Sequence, residues 1–286
     1  MKKIIISGGS GFLGQSLKLG LESRGFSVKI TSRQISSHFI HLDYENPPKD
    51  LSPYEGFDCW IHLAGENIEA LRWTSKKRRK ILFSRLNSGQ TVREIIKQLK
   101  HPPSQIFVAS GAGYYGYESE ISMDESSPRG KGFLALVAEE VENSWKDFFI
   151  KPVLMRIAPV FSYKQGVLKK LSTLWNLGVI AYFGNPNNYF PYVEIEELIN
   201  MNAFMIGKKL SGPFNLVSAV PKKQKEVFTK FFKNKPKFTF LVPQWLIKPL
   251  LGEFGRETIL TNIKITPKRL LDAGFKFLFE GISDDS

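Results

Sequence analysis

The first half of the chain alternates short apolar runs with segments whose apolar residues recur every three or four positions. That is the pattern of strands and helices built around a parallel sheet. Lys3 to Ser7 predicts a strand, and Gln15 to Arg24 a helix closed by Gly25. Further strands are expected at Ser27 to Thr31, near Phe39 to Leu42, and at Asp58 to Leu63. A long helix is predicted over Ser75 to Gln98, with room to bend near Gly89, and the HPP at 101–103 stops it because proline cannot continue a helix. Gln105 to Ala109 and Val153 to Ile157 are the next strands. Between them, residues 130–142 (GKGFLALVAEEVE) place Leu134, Val137, Ala138 and Val141 at i, i+3, i+4 and i+7, with Glu139, Glu140 and Glu142 facing outward.

After Pro159 the pattern loosens. Helix and loop are expected over 166–192, where the aromatic stretch 175–192 (ending YFGNPNNYFPY) suits the wall of a substrate pocket. Glu194 to Gly207 predicts a helix, and Phe214 to Val217 a strand able to rejoin the sheet. A helix over 222–234 leads into the proline-punctuated PKFTFLVPQWLIKP. These segments divide the chain into a first domain at 1–160 and a smaller, discontinuous lobe at 161–286, with about 192–218 returning to the first domain's sheet.

Composition narrows the function classes. The 286 residues, 42% of them hydrophobic, suffice for a large α/β domain with an attached lobe. The apolar run in MKKIII is too short for a signal peptide, and no segment approaches a membrane span, so a cytoplasmic protein without a membrane partner is expected. The single cysteine, Cys59, reads as a buried strand thiol in a reducing compartment. His38, His41, His62 and His101 lack metal-ligand spacing, so no metal is expected. The net charge of +13 includes one dense cluster, KKRRK at 76–80, which reads as a solvated surface. Nucleic-acid binding there is the distant alternative, since no recognition motif accompanies it. The overall charge favours an anionic small molecule by steering it, and the partner expected is a small-molecule substrate, polar or anionic.

The segment KKIIISGGSGFLG sets Gly8, Gly11 and Gly14 between the first strand and the first helix. Glycine permits the tight turn and close approach to a pyrophosphate, while the helix N-terminus offers unpaired N–H groups and positive potential. The G-x-x-G-x-x-G spacing resembles that of the extended short-chain dehydrogenase/reductase superfamily. At the end of the second strand, where NAD-binding proteins place an acid, this chain has Ser32 and Arg33. A hydroxyl and a guanidinium suit a 2′-phosphate, which points to NADP(H). Asp43 is either an adenine-side contact or a turn residue.

HLAGENI at 62–68, Arg72-Trp73-Thr74, Ser84-Arg85-Leu86, SGAGYYG at 110–116, GPFNLVS at 212–218 and PKRLLDAGFKF at 267–277 follow in order. Together they resemble an atypical extended family known as NAD-dependent epimerase/dehydratase or sugar nucleotide epimerase-like, sometimes called cell-division-inhibitor-like. The resemblance covers nearly the whole chain. It implies an α/β, Rossmann-type doubly wound parallel sheet with a smaller, discontinuous C-terminal substrate lobe. It also implies cofactor contacts from Gly8, Gly11, Phe12 and Leu13, a 2′-phosphate held by Ser32 and Arg33, and a ribose side lined by Leu63, Ala64 and Gly65. Arg85 would be a further anion contact, and the Val160 backbone would meet the nicotinamide amide. Where relatives read like WIHIDD this chain reads YVEIEEL, with Glu194 replacing a histidine; here the segment is expected to begin a helix between the lobes.

Ordinary members use a Ser/Thr, Tyr and Lys set, with Tyr and Lys four apart on one helix. The matching helix here offers Leu134 and Ala138, or Phe133 and Val137 one residue earlier, and neither pair can transfer a proton. Ser110 keeps the hydroxyl position, and Tyr114 and Tyr115 follow in a glycine-rich turn. These three are the candidate catalytic residues. A tyrosine base needs a cation to lower its pKa, for which Lys131 or the nicotinamide is available, and Glu66 is a further acid-base candidate. The expected function is NADP(H)-dependent oxidoreduction or epimerisation of a small polar molecule, of sugar-nucleotide type. The rival is a non-catalytic NADP(H)-binding or redox-sensing protein.

Overall fold

The computed structural model describes residues 1–69, 72–162, 177–232 and 237–278. Its strands are β1 (Lys3–Ser7), β2 (Ser27–Ser32), β3 (Ile40–His41), β4 (Cys59–His62), β5 (Gln105–Gly111), β6 (Glu118–Met123) and β7 (Val153–Ile157). They continue with β8 (Val160–Phe161), β9 (Val179–Phe183), β10 (Val193–Glu194), β11 (Gly212–Leu216), β12 (Phe238–Val242) and β13 (Asn262–Ile265). The helices are α1 (Phe12–Glu22), α2 (Ser75–Gln98), α3 (Phe133–Ser144), α4 (Ile195–Lys208), α5 (Gln224–Phe231), α6 (Gln244–Thr258) and α7 (Lys268–Asp272).

Seven strands join in the order β11-β7-β5-β4-β1-β2-β3, and every pairing is parallel. A parallel sheet covered on both faces needs strands that are apolar throughout, which is why β1 runs Ile4-Ile5-Ile6 with all three side chains fully buried. The alternating side chains separate two cores. Ile4 and Ile6 pack with Leu17, Leu21, Leu198, Met201 and Met205 beneath α1 and α4, whereas Ile5 packs with Trp60, Val92, Ile95, Val141 and Trp145 beneath α2 and α3. Strand order reverses between β1 and β4, so the loops leaving their carboxyl ends part there and leave a crevice. Cys59 lies inside this sheet, and burial pushes its thiol pKa well up, as expected of an inert strand cysteine.

Thr74 caps α2 by accepting the Lys77 N–H at 3.2 Å. The helix then runs through Gly89, whose missing side chain makes room for Trp145: a Cβ there would stand 3.3 Å from the indole nitrogen. The second half of the chain supplies β11 to the main sheet and builds a small aromatic core of Phe161, Phe190, Tyr192, Phe228 and Phe231 around Ile180. Each such side chain contributes about 1.5–3 kcal/mol on burial. Of the expected helix and loop at 166–192, residues 166–176 lie outside the described residues, and 179–183 are a strand paired with β12. The expected helix at 222–234 is shorter, with residues 233–234 outside the described set. Of PKFTFLVPQWLIKP, Pro236 lies outside the described residues and the rest folds into β12 and the first turns of α6, which keeps Pro249 and is interrupted at Gly252 (φ 54°). Glu194 is the N-cap position of α4, and its carboxylate pairs with Lys230 on α5.

Candidate functional site

The loop after β1 is shaped by two glycines. Gly8 has φ +75°, and a Cβ there would stand 2.6 Å from the backbone nitrogen of Ala64; a Cβ on Gly14 would stand 2.4 Å from the Cα of Gly9. The first glycine brings the β1 loop against Leu63-Ala64-Gly65, and the second lets α1 pack onto the loop. Gly11 is the N-cap of α1 without a side-chain cap, and the first helical turn carries no acid. The N–H groups of Phe12, Leu13 and Gly14 therefore open the helix without intrahelical acceptors, an arrangement suited to a phosphate.

Arg85 stacks over Gly65, whose absent Cβ would lie 2.9 Å from the arginine Cγ, and donates to the Ile81 carbonyl at 2.8 Å. Burial lowers its pKa to about 10, and among the described residues no carboxylate forms an ion pair with it. A desolvated cation of this kind suits an anionic ligand. On the opposite side of the crevice, Ser32 is buried with its Oγ accepting the Gln34 N–H at 3.1 Å, and Arg33 beside it is exposed. Asp43 accepts the Glu45 N–H at 3.0 Å, the geometry of a turn residue.

His62 lies fully desolvated beneath this loop. Its Nδ1 is 2.8 Å from Ser7 Oγ and its Nε2 is 3.3 Å from Ser88 Oγ, while Trp60 Nε1 donates to Ser7 Oγ at 3.0 Å. Assigning the ring proton to Nε2 satisfies every member of this chain. Burial, reinforced by Arg93 and Arg85, lowers the histidine pKa to about 3. The unfolded chain, near 6.5, takes up a proton that the folded chain refuses, so this part of the stability is complete above pH 6.5 and is lost as pH falls toward 3. Urea unfolding should register a loss of about 1 kcal/mol between pH 6.5 and 5.5. His62→Gln should remove that component of the slope, and a wild-type stability that is flat across this interval would contradict the buried neutral ring.

A cavity of about 580 Å³ opens at the carboxyl ends of β5 and β7. Phe12 and Arg85 line one end, Ser110, Ile157 and Val160 its floor, and Leu134, Val137, Ala138 and Val141 of α3 one wall. The Leu134/Ala138 alignment thus has both members facing the cavity. In the shifted alignment Phe133 turns away and packs edge-on against Trp73 at 5.2 Å. From the second half of the chain come Phe183, Phe190, Phe228, Phe254, Glu257 and Thr261. Phe183 and Phe190 belong to the aromatic stretch read as a pocket wall, but Glu257 and Thr261 carried no local signal. Glu257 accepts the N–H groups of Phe133 at 2.9 Å and Leu134 at 2.8 Å, capping α3 from 123 residues away. Burial raises its pKa against those bonds.

The candidate catalytic residues separate. Ser110 faces the cavity and donates to Glu142 Oε1 at 2.9 Å. Tyr115 is buried away from it: its hydroxyl donates to Asn215 Oδ1 at 2.7 Å and receives a bond from Arg156 Nη1 at 2.8 Å, and burial raises its pKa to about 12. The Tyr114 ring lies 3.5 Å under the Arg156 guanidinium and is likewise absent from the cavity lining. The cation beside the tyrosines is Arg156, and this geometry engages both tyrosines in hydrogen bonding and packing outside the cavity lining. Glu66 is held ionised by Lys77 at 2.8 Å, aided by Lys80 at 3.2 Å, which argues against an acid-base role. With Arg78 on Glu253 at 3.0 Å, three of the five cations at 76–80 pair with carboxylates of their own chain among the described residues. No helix among the described residues is long and apolar enough to cross a membrane.

Residues 4–216 match the model of the NAD dependent epimerase/dehydratase family, and residues 242–284 match a domain of unknown function, DUF1731. An epimerase family protein of Staphylococcus epidermidis is 28% identical over 294 residues, covering 99% of this chain and 97% of its own length. One from Bacillus subtilis is 27% identical over 292 residues, covering 98% and 95%. Among solved structures, a human epimerase family protein with NADPH superposes with a TM-score of 0.87 at 23% identity, covering 98% of this chain and 96% of that one. A UDP-glucuronic acid 4-epimerase from Bacillus cereus in complex with NAD gives 0.64 at 18% identity, covering 88% and 92%.

Proposed function

Because the chain belongs to the NAD dependent epimerase/dehydratase family, we propose that it is an NADP(H)-dependent oxidoreductase or epimerase acting on a small molecule in the cavity beside Ser110. The observation that carries this reading is that Phe12 of the glycine loop and Arg85 share one cavity with Ser110, Val160 and the C-terminal lobe. A dinucleotide laid along the loop would place its nicotinamide end there. The N–H groups of Phe12, Leu13 and Gly14 and the Arg85 guanidinium would hold the pyrophosphate, Leu63, Ala64 and Gly65 the ribose side, and Ser32 and Arg33 a 2′-phosphate. The cofactor, when bound, supplies hydride donation or acceptance. Ser110 would orient a substrate hydroxyl by accepting its hydrogen bond, since its own hydrogen is directed to Glu142 and its lone pairs remain available; orienting a carbonyl would require that hydrogen to turn from Glu142 to the substrate. The apolar α3 wall would exclude water.

The rival is an NADP(H)-binding protein without turnover, and it is favoured by the α3 face itself, where Leu134 and Ala138 stand in place of proton-transfer residues. Titration with NADPH and NADH tests the shared part of both readings. NADPH should bind at least about tenfold more tightly, the effect of one charge-assisted contact. Equal affinities, or none for either, would overturn the cofactor assignment.

A further inference from the structure

Thr261 is 6% exposed and lines the cavity, and its Oγ1 has no hydrogen-bond partner among the described residues. A buried hydroxyl without a partner is destabilising, and removal is the simpler solution unless something occupies the site in use. The neighbouring Thr258, also at the cavity, shows the alternative: its hydroxyl is satisfied within α6 by the Phe254 carbonyl at 2.6 Å. Thr261 lies beyond the end of that helix, at the entry to β13, where no preceding helical carbonyl serves it. Glu257 borders the same cavity, and each of its oxygens, already accepting one backbone N–H, retains acceptor capacity toward a ligand. The walls around this end are hydrocarbon and aromatic: Phe183, Phe190, Phe228, Phe254, Ile259 and Ile263.

We propose that Thr261 is the polar anchor of the substrate half of the cavity, and that the substrate is a small, largely apolar molecule bearing a hydroxyl, which accepts a hydrogen bond from Thr261 and donates one to Glu257. The inference deepens the reading of the cavity as an NADP(H)-dependent site and rests on it for the location of the nicotinamide. An apolar body matches the aromatic walls. One hydroxyl satisfies the orphaned donor, and the second bond orients it. A nucleoside diphosphate sugar would set a dianion against these walls and beside the Glu257 carboxylate.

The test uses 2-naphthol as the probe, a rigid apolar body with one hydroxyl, followed by its own fluorescence on the full chain with and without NADP+. Thr261→Val should weaken 2-naphthol about tenfold. Thr261→Ser should restore it, and naphthalene should bind wild type and Thr261→Val alike. UDP-glucose should fail to displace the probe. Without ligand, Thr261→Val should melt about 2–4 °C above wild type, because it removes an unsatisfied buried hydroxyl. A merely structural hydroxyl would lower the melting temperature instead. The proposal is overturned if 2-naphthol does not bind, if it binds wild type and Thr261→Val equally, if UDP-glucose displaces it, or if Thr261→Val melts lower. A wild type that binds 2-naphthol but not NADP+ would refute the cofactor reading alone. One that binds NADP+ and is indifferent to Thr261→Val would refute the anchor alone.

Discussion

Arg156→Met is expected to destabilise the protein by about 3–5 kcal/mol in urea unfolding, the cost of leaving one member of a buried ion pair without its partner. The arginine side chain is 4% exposed and binds Glu142, which turns inward instead of facing outward as its spacing suggested, through Nε and Nη2, at 2.9 and 2.8 Å. It also donates to the Tyr115 hydroxyl and covers the Tyr114 ring. Methionine fills much of the same volume but abandons the Glu142 carboxylate in a place water scarcely reaches. Adding Glu142→Leu should therefore recover most of the loss, because the same site without either charge resembles ordinary core. A single substitution costing less than about 1 kcal/mol would place it among exposed ion pairs and refute this account. Ser110 depends on the network too, since it donates to the same glutamate oxygen. Arg156→Met leaves that bond in place, whereas Glu142→Leu should free the hydroxyl that faces the cavity.

Arg33→Ala should weaken NADPH about 10- to 100-fold while leaving NADH within about twofold, which corresponds to the loss of one or two charge-assisted hydrogen bonds to a phosphate. Arg33 is exposed at the end of β2, so the substitution should leave folding intact, and isothermal titration reads the difference directly. The effect should shrink with added salt, as it does for a contact at the surface. Equal loss for both nucleotides would mean that Arg33 serves the fold or the common adenosine part, and the 2′-phosphate assignment would fail.

The extent to which the fold was legible follows from where each signal originates. β1, β4, β5 and β7 carry continuous apolar runs because a parallel sheet buries both faces, β2 is read from Val28 and Ile30 on either side of the exposed Lys29, and the glycine loop announces itself because Gly8 cannot tolerate a Cβ against Ala64. β6 and β12 escaped notice for the opposite reason: ESEISM and FTFLV lie mostly exposed in two-stranded pairs, so burial never imposed a pattern on them. In the site, Ser110 was legible as the end of a strand at the cofactor crevice. Tyr115 was legible in position but not in direction, because the 3-10 turn over Ala112–Tyr115 rotates it inward onto Arg156 and Asn215. Glu257 and Thr261 were invisible. Their environment is made by α3 and the aromatic lobe, far away in sequence, and a glutamate and a threonine near a helix end look ordinary until the chain is folded.

The most direct measurement is a crystal structure of the protein with NADP+. The account predicts pyrophosphate against the N–H groups of Phe12 and Leu13, the 2′-phosphate at Ser32 and Arg33, and the nicotinamide inside the cavity. The ring should lie beside Ser110, with Leu134 and Ala138 on the α3 side and open space toward Thr261. A nicotinamide lying outside the cavity, or a nucleotide bound away from the glycine loop, would contradict it.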